Sequence, residues 1–535
     1  MLHIRLPENL DQEINELDEH IRRYQSGLIP STELKARRVP FGVYEQRQAD
    51  TYMVRVRCPG GVITPKQLKA VADLSVKYGQ LPLHITTRQE IQLHDVTLSN
   101  LVPMMRDLKQ FGLSTRGGGG NTVRNVIIQE DAGVDPQEIF DVTPYAMALT
   151  ERLIDEPDSW TLPRKFKVAF SGSTEDKGLA KVADVGFIAT TQGGQRGFIV
   201  YVAGGLGAKS DVSKKLFDFI PDSQVYAVVH AVKLLFWKQG NRKNKHAARL
   251  RFLWTKLGEE VFIRTFQEYF QLAKDRPPLN LPLIENHAAD VPSLIRPSVQ
   301  DKKDYTLWKK RFVSTQKQPQ HVSILVPIEF GFLDHTFTAK LALFLEPFGE
   351  NTLRFTKNQN MIIRNIHEKY LPAVYQFLLD NQANFNRPAI LDTLISCAGA
   401  STCQLGLCLS RGAAKAVIDR LQSSSLPLDE LADVRIHFSG CPNSCGQHPI
   451  ADLGFFGKAG RQKGIIFPAY NVVAGARIGK GDRAQLAEVV GEISAKDVPS
   501  LIEESLAAFC KAGMTREFWQ GNGKETVSRL CETHS

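Results

Sequence analysis

Leu83-His-Ile-Thr-Thr-Arg-Gln89 returns as Leu353-Arg-Phe-Thr-Lys-Asn-Gln359, 270 residues further along the chain. The same shift lays Gly61 on Gly331 and Gly79 on Gly349 without a gap. Around the first copy, alternation and turn residues predict a strand from Tyr52 to Arg57, a turn at Pro59-Gly60-Gly61 and a helix from Pro65 to Tyr78. Strands from Leu83 to Thr87 and Ile91 to His94 follow, then a helix from Leu98 to Phe111. That is an α+β module, and the chain holds two. A shift of 268 joins the segments that follow each module, Phe170-Ser-Gly172 to Phe438-Ser-Gly440 and Asp184-Val-Gly-Phe187 to Asp452-Leu-Gly-Phe455. Two nearly equal offsets in one order read as an internal duplication.

The chain then divides into a packing segment (1–48), a first module (49–115) pairing with a second (316–390), and two larger α+β regions, 116–315 and 391–535. Leu10, Ile14, Leu17 and Ile21 predict an amphipathic helix in the first segment, and Val498 to Ala512 a packing helix before a polar tail.

The halves differ in chemistry. Cys397-x5-Cys403 and Cys441-Pro-Asn-Ser-Cys445 place four thiols in the second half, with Ser173 and Lys177 where Cys441 and Cys445 have their counterparts. Four thiolates suit zinc or an iron-sulfur cluster. The five residues inside the first pair exceed the spacing of about two to four usual in zinc knuckles, which favours the cluster. The first half instead carries Arg88 in a turn, Arg124 after the flexible run Gly117 to Gly120, and Lys165 and Lys167 on one face of a strand. Converging, these four would hold a small oxyanion and supply protons. On separate solvated faces they would do neither.

Composition sets limits. At 535 residues and 43% hydrophobic content the chain is globular and multi-domain, and it contains no apolar run of transmembrane or signal-peptide type. Eight cysteines, half in one group, fit a reducing compartment, and a cytoplasmic location is expected. The net charge of +9 is dispersed and matches no nucleic-acid motif, so an anionic cofactor, substrate or acidic partner is the better reading. Neither Gly117–Gly120 nor Gly204–Ser210 has the spacing of a phosphate or dinucleotide loop. Cys58, Cys408, Cys510 and Cys531 read as incidental thiols.

The two cysteine pairs, the doubled module, Thr87-Arg-Gln89, Val123-Arg-Asn125 and Leu162-Pro-Arg-Lys-Phe-Lys167 together resemble the siroheme-containing sulfite and nitrite reductases, from about residue 40 to about residue 490. The resemblance implies a three-lobed α+β fold in which ferredoxin-like half-domains pair about a pseudo-twofold axis. It implies Cys397, Cys403, Cys441 and Cys445 as ligands of a 4Fe-4S cluster, with Cys445 bridging to siroheme iron, and Arg88, Arg124, Lys165 and Lys167 on the substrate side. Arg116, Arg164, Asn443, Arg249 and Arg251 are the expected further contacts to the cofactors. The basic run Lys238 to Lys245 is a solvated face or a docking patch for the donor.

The implied activity is six-electron reduction of sulfite to sulfide, with nitrite to ammonia as the alternative. Nitrite enzymes of the family tend to have Asn at the position of Lys167, and Gly42-Val-Tyr-Glu-Gln46 also leans to sulfite, whereas Cys445-Gly-Gln447 leans to nitrite. Electrons must come from outside the chain, from ferredoxin or a flavoprotein subunit. A non-catalytic iron-sulfur carrier or a zinc-stabilised structural protein is the reading from another class.

Overall fold

Two helices begin on capping side chains 270 positions apart. Thr64 Oγ1 accepts from the Gln67 N–H while the Gln67 side chain accepts from the Thr64 N–H, both at 3.1 Å, closing a capping box on helix Pro65–Tyr78. Asp334 accepts from the Phe337 N–H at 2.9 Å and starts helix His335–Leu345. The two helices pack against each other. In this computed structural model residues 4–534 are described, apart from 80–81, 287–289, 292–293, 295–296, 383–384, 463, 480 and 482–483.

Each half contributes two sheets. β1 (Val43–Glu45), β2 (Thr51–Val56), β3 (Leu83–Ile85) and β4 (Ile91–Thr97) form an antiparallel sheet in the order β1-β2-β4-β3. β5 (Ile127–Ile128), β6 (Val168–Ser171), β7 (Val185–Gln192), β8 (Gln195–Val202) and β9 (Lys214–Pro221) lie in chain order, parallel to β7 and antiparallel beyond it. The second half repeats the plan. β10 (Val313–Thr315), β11 (His321–Val326), β13 (Leu353–Phe355) and β14 (Met361–His367) take the order β10-β11-β14-β13, while β12 (Phe332–Leu333) crosses to extend the first sheet beside β3. β15 (Ile395–Ser396), β16 (Ile436–Ser439), β17 (Leu453–Gln462), β18 (Ile465–Ala474) and β19 (Glu488–Ser494) again lie in chain order. The duplication read from the sequence is therefore present in both pairs of sheets, with β12 matched in the first half only by the single bridge from Val62 to Arg354.

Two glutamines lock the halves together. Gln89, at φ 59°, donates from Nε2 to the Phe355 carbonyl at 3.0 Å and accepts the Ile128 N–H at 3.0 Å. Gln359, at φ 64°, donates to the Ile85 carbonyl at 3.4 Å and accepts the Ser396 N–H at 3.1 Å. Each side chain thus reaches into the other half-domain and also ties down the first strand of its own larger sheet. A left-handed backbone is costly for glutamine, and both copies keep it because the reversed chain aims the amide inward.

Helix Leu10–Gln25 buries Leu10, Ile14, Leu17 and Ile21 against helix Leu101–Gln110, as its periodicity requires. The region after Val498 holds more than a helix and a polar tail. Helices Arg516–Gln520 and Asn522–Thr533 follow Val498–Lys511, and Trp519, 1% exposed, stacks on Phe509 at 5.0 Å. Among the described residues no helix is long and apolar enough to cross a membrane.

Candidate functional site

The cysteine loops hang from the ends of β15 and β16. The Gly440 N–H donates to Cys397 Sγ at 3.1 Å, and the Ser410 hydroxyl lies 3.6 Å from the same sulfur. Arg47 holds the first loop from outside, donating to the carbonyls of Cys403 at 3.0 Å and Gly406 at 2.9 Å. In the second loop a Cβ on Gly446 would lie 1.9 Å from the Phe438 carbonyl oxygen, so only glycine can follow Cys445 there. The loop is fastened to the first half-domain: the Thr87 hydroxyl donates to the Cys445 carbonyl at 2.9 Å and Gln447 Nε2 to the Thr87 carbonyl at 3.0 Å.

The four thiols share one field. Burial, then the Cys445 thiolate, pushes Cys397 up to about 11, and burial followed by Cys445 and Cys403 raises Cys441 against hydrogen bonds from Asn443. Among the described residues no three Cys, His, Asp or Glu side chains are placed to hold a single metal ion. Four thiols on two neighbouring loops, close enough to raise one another, are a donor set that a 4Fe-4S cluster takes. Cys408, by contrast, is 2% exposed and donates to the Ala469 carbonyl at 3.3 Å, so it belongs to the core.

The cations do converge. Burial and Arg249 pull Lys165 down to about 7, against the Cys445 thiolate, with Arg124 and Arg164 adding to the pull. Burial, then Arg88, Lys165 and Arg249, takes Lys167 well below its ordinary value, with Asp184 opposing. Burial lowers Arg88 and Arg124 as well. Arg88, Arg124, Lys165 and Lys167 therefore lie within one another's electrostatic reach, with Arg249 acting on three of them and Cys445 on Lys165. Asp184, fully buried, accepts from Arg249 at 2.9 Å and from the Lys167 N–H at 2.9 Å, which fixes both.

Donors here outnumber acceptors. Arg88 Nε, Arg124 Nε, Arg249 Nε and both Nε and Nη1 of Arg251 are buried without partners. Gly205 permits this crowding, since a Cβ there would stand 2.6 Å from an Arg249 nitrogen and 3.1 Å from an Arg251 nitrogen. Buried guanidinium N–H groups left without acceptors are costly, even on arginines whose other nitrogens are bonded, and a polycarboxylate would satisfy them. That is the chemistry of siroheme, and the residues present fit it.

Four expectations are revised by the structure. Arg116 is turned away to an ion pair with Glu13 and lies 3.5 Å above the Trp160 ring, because the N-terminal helix brings an acid within reach. The run Gly117 to Gly120 is no flexible tether: a Cβ on Gly119 would meet the Val39 carbonyl at 2.1 Å, and Gly118 O accepts from Arg55 at 2.7 Å and Arg124 at 2.5 Å. Lys165 and Lys167 lie just before β6, on either side of buried Phe166, which bridges to Val123. Their shared direction survives through that bridge. Asn443 is exposed and its bonds go to Cys441, on the cluster side rather than among the cations.

The sequence reading missed Arg47 and the role of Asp184, and took Tyr44 only as part of a stretch that leans to sulfite. Tyr44 accepts the Gly120 N–H at 2.9 Å and lies against Arg124, whose charge, with that of Arg55, lowers the phenol despite burial. Asp184 served only as a duplication marker, although its counterpart Asp452, paired with Arg435 at 2.7 Å, hints at a cation partner.

A pH dependence follows. In the folded chain without cofactors Lys165 holds its proton only below about 7, whereas the unfolded chain holds it to about 10.4. Between those values the unfolded state binds more protons, so stability rises with pH. The urea midpoint of the cofactor-free protein is expected to climb from pH 7 to 9.5, and Lys165→Met to flatten that climb; equal slopes would refute it.

Known proteins resemble this chain over most of its length. A family described as the nitrite and sulphite reductase 4Fe-4S domain matches residues 119–274 and 391–530, and the nitrite/sulfite reductase ferredoxin-like half domain matches 44–111 and 314–381. A ferredoxin–nitrite reductase of Synechococcus elongatus is 29% identical over 468 residues, 85% of each chain. An assimilatory ferredoxin-dependent nitrite reductase of Haloferax mediterranei is 28% identical over 522 residues, 92% of this chain and 86% of that one. The structure of Mycobacterium tuberculosis NirA matches with a TM-score of 0.76 at 24% identity, over 94% of both chains, and shares the fold.

Proposed function

The chain belongs to the nitrite and sulphite reductase family, and from that premise we propose that it reduces nitrite to ammonia, using a siroheme joined to a 4Fe-4S cluster and electrons from ferredoxin. The observation that carries the reading is the gathering of Arg88, Arg124, Lys165 and Lys167 beside Cys445. An electron carrier has no use for such a pocket.

When bound, the cluster and siroheme would pass the donor's electrons to the anion. Cys397, Cys403, Cys441 and Cys445 would hold the cluster, and Arg249, Arg251 and Arg164 the carboxylates around the iron. The remaining work falls to the pocket. Arg88 and Arg124 attract the anion and offset charge that accumulates as electrons arrive. Each oxygen leaves as water, so protons must reach it. Lys165 Nζ, poised near neutral pH, is suited to give one and be reprotonated from solvent. Asp184 keeps Arg249 and the Lys167 backbone in register.

Relatives named as nitrite reductases, and Gln447 after the last cysteine, support nitrite. Sulfite is the second reading, favoured by Lys167: sulfite carries one more negative charge than nitrite, and a fourth cation offsets it. Steady-state assays with reduced ferredoxin and either anion separate them. Nitrite is expected to give the higher kcat/KM, and Lys167→Asn to lower sulfite turnover about tenfold relative to nitrite, the weight of one charge contact. Faster turnover of sulfite by the unaltered protein would transfer the reading to sulfite, and turnover of neither would end it.

A further inference from the structure

The first half keeps the backbone of the cluster loops without their cysteines. At the shift of 268, Cys397, Cys403, Cys441 and Cys445 fall on Gln129, Asp135, Ser173 and Lys177. Hydrogen bonds repeat across that shift. The Gly440 N–H donates to Cys397 Sγ at 3.1 Å, and the Gly172 N–H to Gln129 Oε1 at 2.7 Å. The Cys403 N–H donates to the Gly399 carbonyl at 3.1 Å, and the Asp135 N–H to the Asp131 carbonyl at 2.9 Å. The Gly446 N–H donates to Ser439 Oγ at 3.1 Å, and the Gly178 N–H to Ser171 Oγ at 2.7 Å.

Strained positions repeat too. Ser444 and Asp176 have φ of 57° and 51°, and Gln447 and Leu179 of 60° and 63°. A Cβ on Gly178 would lie 1.9 Å from the Phe170 carbonyl oxygen, as one on Gly446 would from that of Phe438. Non-glycine residues hold left-handed conformations only where the surroundings impose them, so this agreement reflects one loop architecture used twice.

In the first half these positions are linked in an open chain that ends at Ser173, whose buried hydroxyl has no partner among the described residues. Lys177 Nζ donates to Asp135 at 2.6 Å and to Asp131 at 3.0 Å. Gln129 Nε2 donates to the same Asp135 oxygen at 3.2 Å, while Gln129 Oε1 accepts from the Ser173 N–H at 3.2 Å. Asp135 is 4% exposed and Ser173 2%.

We propose that Gln129, Asp135, Ser173 and Lys177 form a counterpart of the cluster site, in which the Lys177 ammonium joins the two loops as the cluster does in the other half. The lysine brings its own cation to two carboxylates. Hard oxygen donors around a fixed positive charge neither attract nor bridge iron, so the chain takes one cluster and not two. The proposal rests on the cysteine quartet's holding a cluster, and goes beyond it.

Two variants test it, with iron in the unaltered holoprotein as baseline. Lys177→Met is expected to lower the urea midpoint and speed amide exchange in 129–135 and 172–178 by about tenfold, as loss of a charge-assisted pair predicts, with iron and visible spectrum unchanged. An unchanged midpoint with unchanged exchange would overturn the joining role. The combined Gln129→Cys, Asp135→Cys, Ser173→Cys and Lys177→Cys variant, expressed without oxygen, is expected to gain about four irons per chain and a second reduced-cluster resonance. A folded quadruple variant with no added iron would overturn the retained cluster architecture, and if it does not fold, the exchange result on Lys177→Met decides. Absence of iron in the unaltered protein would count against the cysteine quartet alone, and the exchange result would still decide the joining role of the Lys177 ion pairs.

Discussion

The Cys445→Ser variant is expected to fold like the unaltered chain and to lose turnover by about a thousandfold or more, the order that follows removal of one member of a catalytic unit. Folding should survive because the Cys445 side chain is exposed, and the loop is held by its backbone: the Cys445 carbonyl accepts from Thr87, and the Gly446 N–H donates to Ser439 Oγ at 3.1 Å. Ligation should not survive. A serine hydroxyl is a far weaker acid than a thiol and a harder donor, so it replaces thiolate poorly at an iron-sulfur centre. Far-UV circular dichroism should be unchanged, with iron content and visible absorption reduced. Full activity and a full iron complement would sink the assignment of Cys445.

The second large effect falls on stability. Gln89→Ala removes a side chain that serves two backbone groups, leaving the Phe355 carbonyl and the Ile128 N–H without partners. Each buried group stranded in this way costs about 1–3 kcal/mol, so a loss of about 2–6 kcal/mol is expected, read as a fall in the urea midpoint. The pseudo-twofold makes a sharper demand. Gln359→Ala strands the Ile85 carbonyl and the Ser396 N–H and should cost a similar amount. A midpoint that moves in neither variant would show that the glutamines are not the lock between the halves.

Much of this was legible because the duplication wrote it twice. Gln89 and Gln359 were visible as a repeated letter, and the cysteine loops as a feature of one copy only. Alternation around Phe166 correctly set Lys165 and Lys167 on one side, although a bridge rather than a strand holds them there. Contacts between distant segments were not legible. Nothing near Arg116 in sequence announces that Glu13, 103 positions earlier, will claim it. The glycines at 117–120 suggested mobility, yet they are small because Arg57, Val39 and Tyr44 occupy the space where side chains would go. A glycine's permissiveness and its close packing leave the same letter.

The bonds from Thr87 to Cys445 and from Gln447 to Thr87 close a loop of 358 to 360 residues. A ribosome adding residues from the N-terminus cannot offer a finished pocket until about five-sixths of the chain has emerged, however early the first module folds. Metal and tetrapyrrole must then be loaded into an almost complete polypeptide. Until that moment the buried arginines and lysines repel one another, and this gives the unloaded protein a built-in preference for seizing an anion over remaining empty.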